Sequence, residues 1–295
     1  MDQAVSLRER KAGPIAWSKK SLRIADPQGP LVRVLSVSSG KGGVGKSSIV
    51  VNLAVAFAQL GKKVLIMDAD LGLANIDVLL GLTPKENIAH VLEGKRQLRE
   101  VIINGPGGVR IMPASSGVQQ LTRLTDEQKL LMLEMLDELE SEIDIFLVDT
   151  GAGISDTVLY FNLAAQEKIV VITPEPTSLT DAYALIKVLY TRYGERHFRV
   201  LANFVEDEKA GKGIFAKIST VADHFLDGIS LDYIGSIPRD PNVPRAILQQ
   251  RPLLHAFPRS AAARAFLSLA ERIRKSPPHQ NNGNVQFFWK RLLQV

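Results

Sequence analysis

Residues 39–48 read SGKGGVGKSS and stand between a β-branched run, VRVLSVS (32–38), and a helical pattern at 47–60. Few backbones can pass from a buried strand through four glycines into a helix. Two nucleotide fingerprints fit the stretch. Gly40, Gly42 and Gly45 satisfy G-x-G-x-x-G, the dinucleotide turn, and Gly40, Gly45, Lys46 and Ser47 satisfy G-x-x-x-x-G-K-[ST], the P-loop. The second accounts for more residues. Glycines let successive N–H groups turn inward around phosphate oxygens. Lys46 brings charge to the β- and γ-phosphates. Ser47 places a hydroxyl on Mg²⁺ at the start of a helix whose positive end faces the same phosphates. Gly42, Gly43, Val44 and Ser48 complete the candidate phosphate loop. A dinucleotide fold has no use for Lys-Ser here, so a nicotinamide oxidoreductase remains only as a rival. That rival draws on Asp68, which ends the second strand about where a ribose-binding acid would sit.

The rest of the chain agrees with a nucleotide-binding α/β fold. Nearly continuous apolar runs at 32–38, 63–68, 109–114, 144–150, 168–173, 198–204 and 233–238 read as strands buried on both faces. Helical patterns at 47–60, 125–142, 157–165, 177–193, 214–225 and 259–274 lie between or after them. Alternation of this kind predicts a mainly parallel, doubly wound sheet with helices on both faces, and ligands at the carboxyl ends of the strands. The boundaries read as a basic arm at 1–30, a P-loop domain at 31–275, a linker at 276–284 (SPPHQNNGN) and a tail at 285–295.

Composition narrows the chemistry. There is no cysteine, and the five histidines are scattered, so no thiolate or zinc-helix pattern is present. No signal-peptide pattern and no apolar run long enough to span a bilayer is found, which makes a cytoplasmic protein the expectation. The net charge of +5 permits anionic partners without requiring them.

A P-loop enzyme also needs a carboxylate at the end of another buried strand. IFLVD ends at Asp149, followed by Thr150, Gly151, Ala152 and Gly153, a Walker-B-like strand with a glycine-rich switch behind it. The second lysine of the loop, Lys41, completes K-G-G-x-G-K-[ST]. This pattern resembles the deviant Walker A of the MinD/ParA/nitrogenase-iron-protein class. The resemblance implies an Mg²⁺-dependent ATP hydrolase that binds ATP or ADP and dimerises when ATP-loaded, with Lys41 reaching the partner's phosphates. MDADLGLANIDVLLG (67–81) is similar to switch I of that class, so Asp70 is expected to orient the attacking water and Asp68 to support magnesium. A plain helix N-cap is the other role open to Asp70. DTGAGI (149–154) matches switch II: Asp149 would act on magnesium, and Gly153 would let the backbone approach the γ-phosphate. Asn203 ends FRVLANF, where relatives carry an adenine-reading asparagine; a turn-forming asparagine fits as well. IPRDPNVPRA (237–246) resembles the loop that closes over the base, with Pro238 and Asp240 as candidates.

Three stretches point within the class. DQAVSLR (2–8) resembles the opening motif of the flagellar-number regulators FlhG, YlxH or FleN, carried by Asp2, Gln3, Ala4, Leu7 and Arg8. In that family the segment binds the signal-recognition-type GTPase FlhF and stimulates it. EPTSLTDAYALIKVLY (175–190) is similar to the same family's helix after the fifth strand. In the tail, Val285, Phe288, Trp289, Leu292 and Val295 share one helical face, with Phe287, Arg291 and Leu293 on the flanks. Aromatics with Lys-Arg after a polar linker suit a helix lying in an anionic membrane surface, with Phe287, Phe288, Trp289, Leu292 and Leu293 as the inserting residues. Docking on the chain's own domain is the alternative. The resemblance therefore implies reversible attachment to the inner face of the cytoplasmic membrane, with FlhF, flagellar ring proteins or a transcription regulator as partners. Division-site MinD and ParA-like DNA segregation remain as rivals. DNA is not expected as a partner, although Arg192, Arg196, His197 and Arg199 could form a phosphate-contacting patch.

Overall fold

Odd and even residues of the central strands feed two different cores. On β1 (Arg33–Ser39) Leu35 and Val37 pack into one apolar cluster and Val34 into another. On β5 (Ile145–Ala152) Leu147 and Phe146 divide the same way. Strands apolar on both faces must be covered on both faces, and they are. The computed structural model describes residues 32–70, 75–113, 139 and 142–277. The DQAVSLR arm, most of the helix expected at 125–142, the linker beyond Pro277 and the tail lie outside the described residues.

In chain order the remaining elements are α1 (Lys46–Gln59), β2 (Val64–Ala69), α2 (Ile76–Leu80), α3 (Ile88–Leu92), α4 (Leu98–Val101), β3 (Ile103–Asn104), β4 (Arg110–Pro113), α5 (Asp156–Ala164), β6 (Glu167–Ile172), α6 (Pro176–Tyr193), β7 (His197–Val205), α7 (Glu208–Phe225), β8 (Ser230–Pro238), α8 (Asn242–Leu248), α9 (Leu253–Ala256) and α10 (Ala261–Lys275). Among the described residues eight strands run β3-β4-β2-β5-β1-β6-β7-β8, and only the β3–β4 pair of these is antiparallel. All seven strands read from the sequence are present. The chain leaves β1 for β2 on one side and later adds β6 on the other. The crevice at the carboxyl end of β1 is thus a topological switch point, where such sheets take their ligands.

One face of the sheet is covered by α1 and α10, which bring Ile49, Leu53, Phe57 and Phe266 against Leu35, Ile66 and Leu147. The other face is covered by α5, α6 and α7, through Phe161, Leu185, Leu189 and Ile218. α7 begins at Glu208, six residues before the start read from periodicity, because the Asp207 side chain accepts the Ala210 N–H at 2.7 Å and sets the cap. The short helices α2, α3, α4, α8 and α9 were not anticipated. Each spans two turns or fewer, too short for a 3.6-residue period to show.

At the amino-terminal edges of the strands lies a buried charge cluster. Glu167 accepts hydrogen bonds from Arg33, with Nη2 to Oε2 at 2.9 Å, and pairs with Arg199 Nε at 2.9 Å. Both arginines also reach the end of α10: Arg33 Nη1 donates to Ser276 O at 3.1 Å, and Arg199 Nη1 to Ser276 Oγ at 3.1 Å. Arg199 is 5% exposed, so the basic patch imagined for DNA does not form around it; the guanidinium serves the interior.

Candidate functional site

α1 starts with no side-chain cap and no acid in its first turn, which leaves its N–H groups and positive end facing the loop. Its N-cap, Gly45, has φ +88°, a conformation other residues adopt only with strain. A Cβ there would also stand 2.7 Å from Asn203 Nδ2. Gly40 is required by close approach: a Cβ would lie 2.0 Å from the backbone carbon of Asp181 in α6. The loop is therefore wedged between α6 and β7. Val44 and Lys46 are buried, whereas Gly42 and Gly43 are open to solvent. Gly153 donates its N–H to Ser39 O at 2.9 Å, which ties the segment after β5 to the root of the loop.

Asp68 and Asp149 face each other in register at the ends of β2 and β5. Asp149 is 1% exposed, and burial pushes its carboxyl up to about 7, against the opposing hydrogen bond from Ser47. Burial likewise pushes Asp68 up to about 6, although it accepts the N–H groups of Asp70 at 3.3 Å, Asn75 at 3.1 Å and Ile76 at 3.2 Å. Asp149 Oδ1 is buried with no hydrogen-bond partner. An orphaned carboxylate oxygen beside a serine hydroxyl is a hard donor set short of a cation, and so these residues fit Mg²⁺. Asp70 lies beside Gly151, at the junction of the two switch segments.

Lys41 leans away from the loop. Its Nζ is 2.6 Å from Glu175 Oε2 and 3.1 Å from Thr177 Oγ1, at the head of α6. Both side chains of the pair are substantially exposed, at 39% and 62%. Neither partner was read from the sequence. The signal available was position: Glu175 lies just past the carboxyl end of β6, where ligand contacts collect.

Asn203, Pro238 and Asp240 line one cavity of about 660 Å³ that opens beside Gly45 and Ser48. Its volume suits a small-molecule ligand. Asn203 donates Nδ2 to Val44 O at 2.8 Å, so half of its amide is committed to the phosphate loop. Asp240 holds the wall together, accepting the Asn242 N–H at 2.9 Å and the Ala262 N–H at 3.0 Å. Much of the remaining surface is apolar: Ile237 and Val243 come from the stretch expected to close over the base, whereas Phe204, Ile247 and Phe266 were not read as site residues. Phe204 sits at φ +57° where the β7–β8 register shifts, a strained backbone of the kind found at ligand sites.

The comparisons with known proteins follow this geometry. The ParA family model, described as NUBPL iron-transfer P-loop NTPase, matches residues 31–274. The chain is 48% identical over 264 residues to the antiactivator FleN of Pseudomonas aeruginosa, covering 89% of this chain and 94% of that one. It is 32% identical over 266 residues to the flagellum site-determining protein YlxH of Helicobacter pylori, covering 89% and 90%. Among solved structures it resembles the septum site-determining protein MinD complexed with Mg-ADP from Pyrococcus horikoshii, with a TM-score of 0.65, 26% identity, and coverage of 83% of this chain and 97% of that one.

Proposed function

The chain belongs to the ParA family of P-loop NTPases, and from that premise we propose that it is an ATP-driven switch controlling the number and placement of flagella. Hydrolysis of ATP is the family's activity. The observation that carries the flagellar assignment is the likeness, over nine-tenths of the chain, to FleN and to a flagellum site-determining protein.

The site supports the chemical half of the switch directly. The open amino end of α1, the loop amides and Lys46 bind the phosphates. The cavity beside Asn203 and Pro238 receives the base. Ser47 and Asp149 would hold Mg²⁺, with Asp68 beside Asp149 in support, and the ion would supply charge neutralisation at the β- and γ-phosphates. Asp70 orients the attacking water. Lys41 completes the site of a second subunit. Its exposed pair with Glu175 is worth at most about 1 kcal/mol, so the lysine can leave it when a partner's nucleotide comes within reach.

The readout half is membrane attachment through residues 285–295 and activation of FlhF through residues 2–8. A helix this short binds marginally alone; two on one dimer bind much more tightly, because the second insertion is intramolecular. Pelleting with anionic liposomes tests this, for the full chain and for one ending at Asn284, in ATP and in ADP. We expect the full chain to pellet in ATP, less in ADP, and the shortened chain in neither. If neither chain pellets in either nucleotide, the membrane half of the switch is wrong, and docking of the tail on its own domain takes its place.

A further inference from the structure

We propose that Gln250 is a positioning residue that ties the wall of the base cavity to α2, so that a filled cavity fixes the carboxylate end of β2. This rests on the reading of the site as a nucleotide site. α8 ends with Gln250 N–H donating to Ile247 O at 2.9 Å and Arg251 N–H to Ala246 O at 3.1 Å, the paired bonds of a Schellman motif. In that motif Gln250 takes the left-handed position, φ +52°, which glycine usually fills. A glycine would close the helix with less strain. What glutamine adds is a side-chain amide, and its Nε2 donates to Val78 O at 2.9 Å across 172 residues of sequence. Val78 O belongs to the last turn of α2, where it also accepts the capping Gly81 N–H at 3.2 Å, so the Gln250 amide takes the carbonyl's second lone pair.

Both ends of this bridge are held. On one side Val243 and Ile247 of α8 line the base cavity. The segment after Gln250 is pinned to α1, where Asn52 Oδ1 accepts the Leu253 N–H at 2.7 Å. On the other side the head of α2 is gripped by Asp68, which accepts the N–H groups of Asn75 and Ile76. Cavity wall, Gln250, α2 and Asp68 thus form one connected run from the base to the carboxylates. Strain kept at a surface residue, with its side chain spent on a single long-range bond, is the mark of a positioning role.

Hydrogen exchange of the full chain with ADP, with pyrophosphate and with no ligand reads the coupling. In the wild-type chain ADP should slow exchange in the P-loop, α8 and α2, while pyrophosphate should slow the P-loop alone. In Gln250→Gly, which keeps the helix stop and relieves the strain, ADP should still protect the P-loop and α8 but no longer α2. Turnover at saturating ATP should fall about fivefold, the size of one neutral hydrogen bond, with ADP affinity and melting temperature not reduced. Gln250→Glu, the same shape without a donor, should lose α2 protection equally. Equal α2 protection and equal turnover in Gln250→Gly would overturn the inference. A wild-type P-loop unprotected by ADP would overturn the nucleotide reading itself, and the coupling with it.

Discussion

Replacing Lys41 with alanine is expected to slow ATP turnover about 10³-fold or more, the range over which a cation supplied in trans acts in phosphoryl transfer. Melting temperature and ADP affinity should stay near wild type. The contrast follows from where the side chain is. Lys41 is half-exposed and bound to an exposed glutamate, so its removal costs at most about 1 kcal/mol of stability. Lys46, in the same loop, is buried against the phosphate site and offers no such separation of roles. Steady-state hydrolysis across a range of protein concentrations checks the claim. With Lys41 acting in trans, as proposed, the wild-type chain should gain specific activity as concentration rises. The Lys41→Ala chain should stay flat and low. Wild-type turnover by dilute Lys41→Ala protein would leave Lys41 outside the chemistry.

The second large effect concerns Asp149. Burial disfavours the charge and pushes its carboxyl up to about 7, far above an ordinary aspartate. The folded state therefore holds a proton that the unfolded state releases from about pH 4 upward. Stability from this group is lost as pH rises from about 4 to about 7, and the full penalty stands at pH 8. Asp68 adds to it in the same direction, with a folded value of about 6. Asp149→Asn removes the penalty at its own position. In metal-free protein at pH 8 it should raise stability by on the order of 3 kcal/mol, or roughly 5–10 °C in melting temperature, and the gain should vanish near pH 4. The same variant should lose about 10²–10³-fold in ATP turnover, as when one electrostatic stabiliser of a transition state is removed. Differential scanning calorimetry at pH 4, 6 and 8 without magnesium, beside an ATPase assay, decides it. A variant less stable than wild type at pH 8 would show that Asp149 is satisfied by its neighbours and is not waiting for a cation.

The parts of this site that could be read in the sequence are those carried by contiguous residues. Lys46 and Ser47 open a helical pattern directly after the glycines, and Asp68 and Asp149 close apolar runs, whereas the register that brings Asp68 opposite Asp149 appears only in the folded sheet. Pairings across long separations were not readable. Nothing in KGG says that Lys41 will sit on Glu175, 134 residues away, and nothing in LQQRP says that Gln250 will reach Val78. Arg199 shows the same limit in reverse. Beside Arg196 and His197 it looks like part of a basic surface, yet the sheet carries it inward to Glu167. The strained Phe204 and the short helices α8 and α9 are likewise set by the packing of the cavity wall, which no local period encodes.

The Arg33–Glu167–Arg199 cluster gives the domain two poles. Nucleotide chemistry occupies the ends where strands finish, and the cluster grips Ser276 where strands begin, roughly 20 Å away along the seven residues of β1. Whatever follows Pro277 therefore departs from a fixed mooring on the side of the sheet turned away from the reaction. Substitutions that loosen this mooring, at Arg33 or Arg199, act at the pole opposite Lys46, Asp68 and Asp149 and disturb the start of the strands without removing any group from their carboxyl ends.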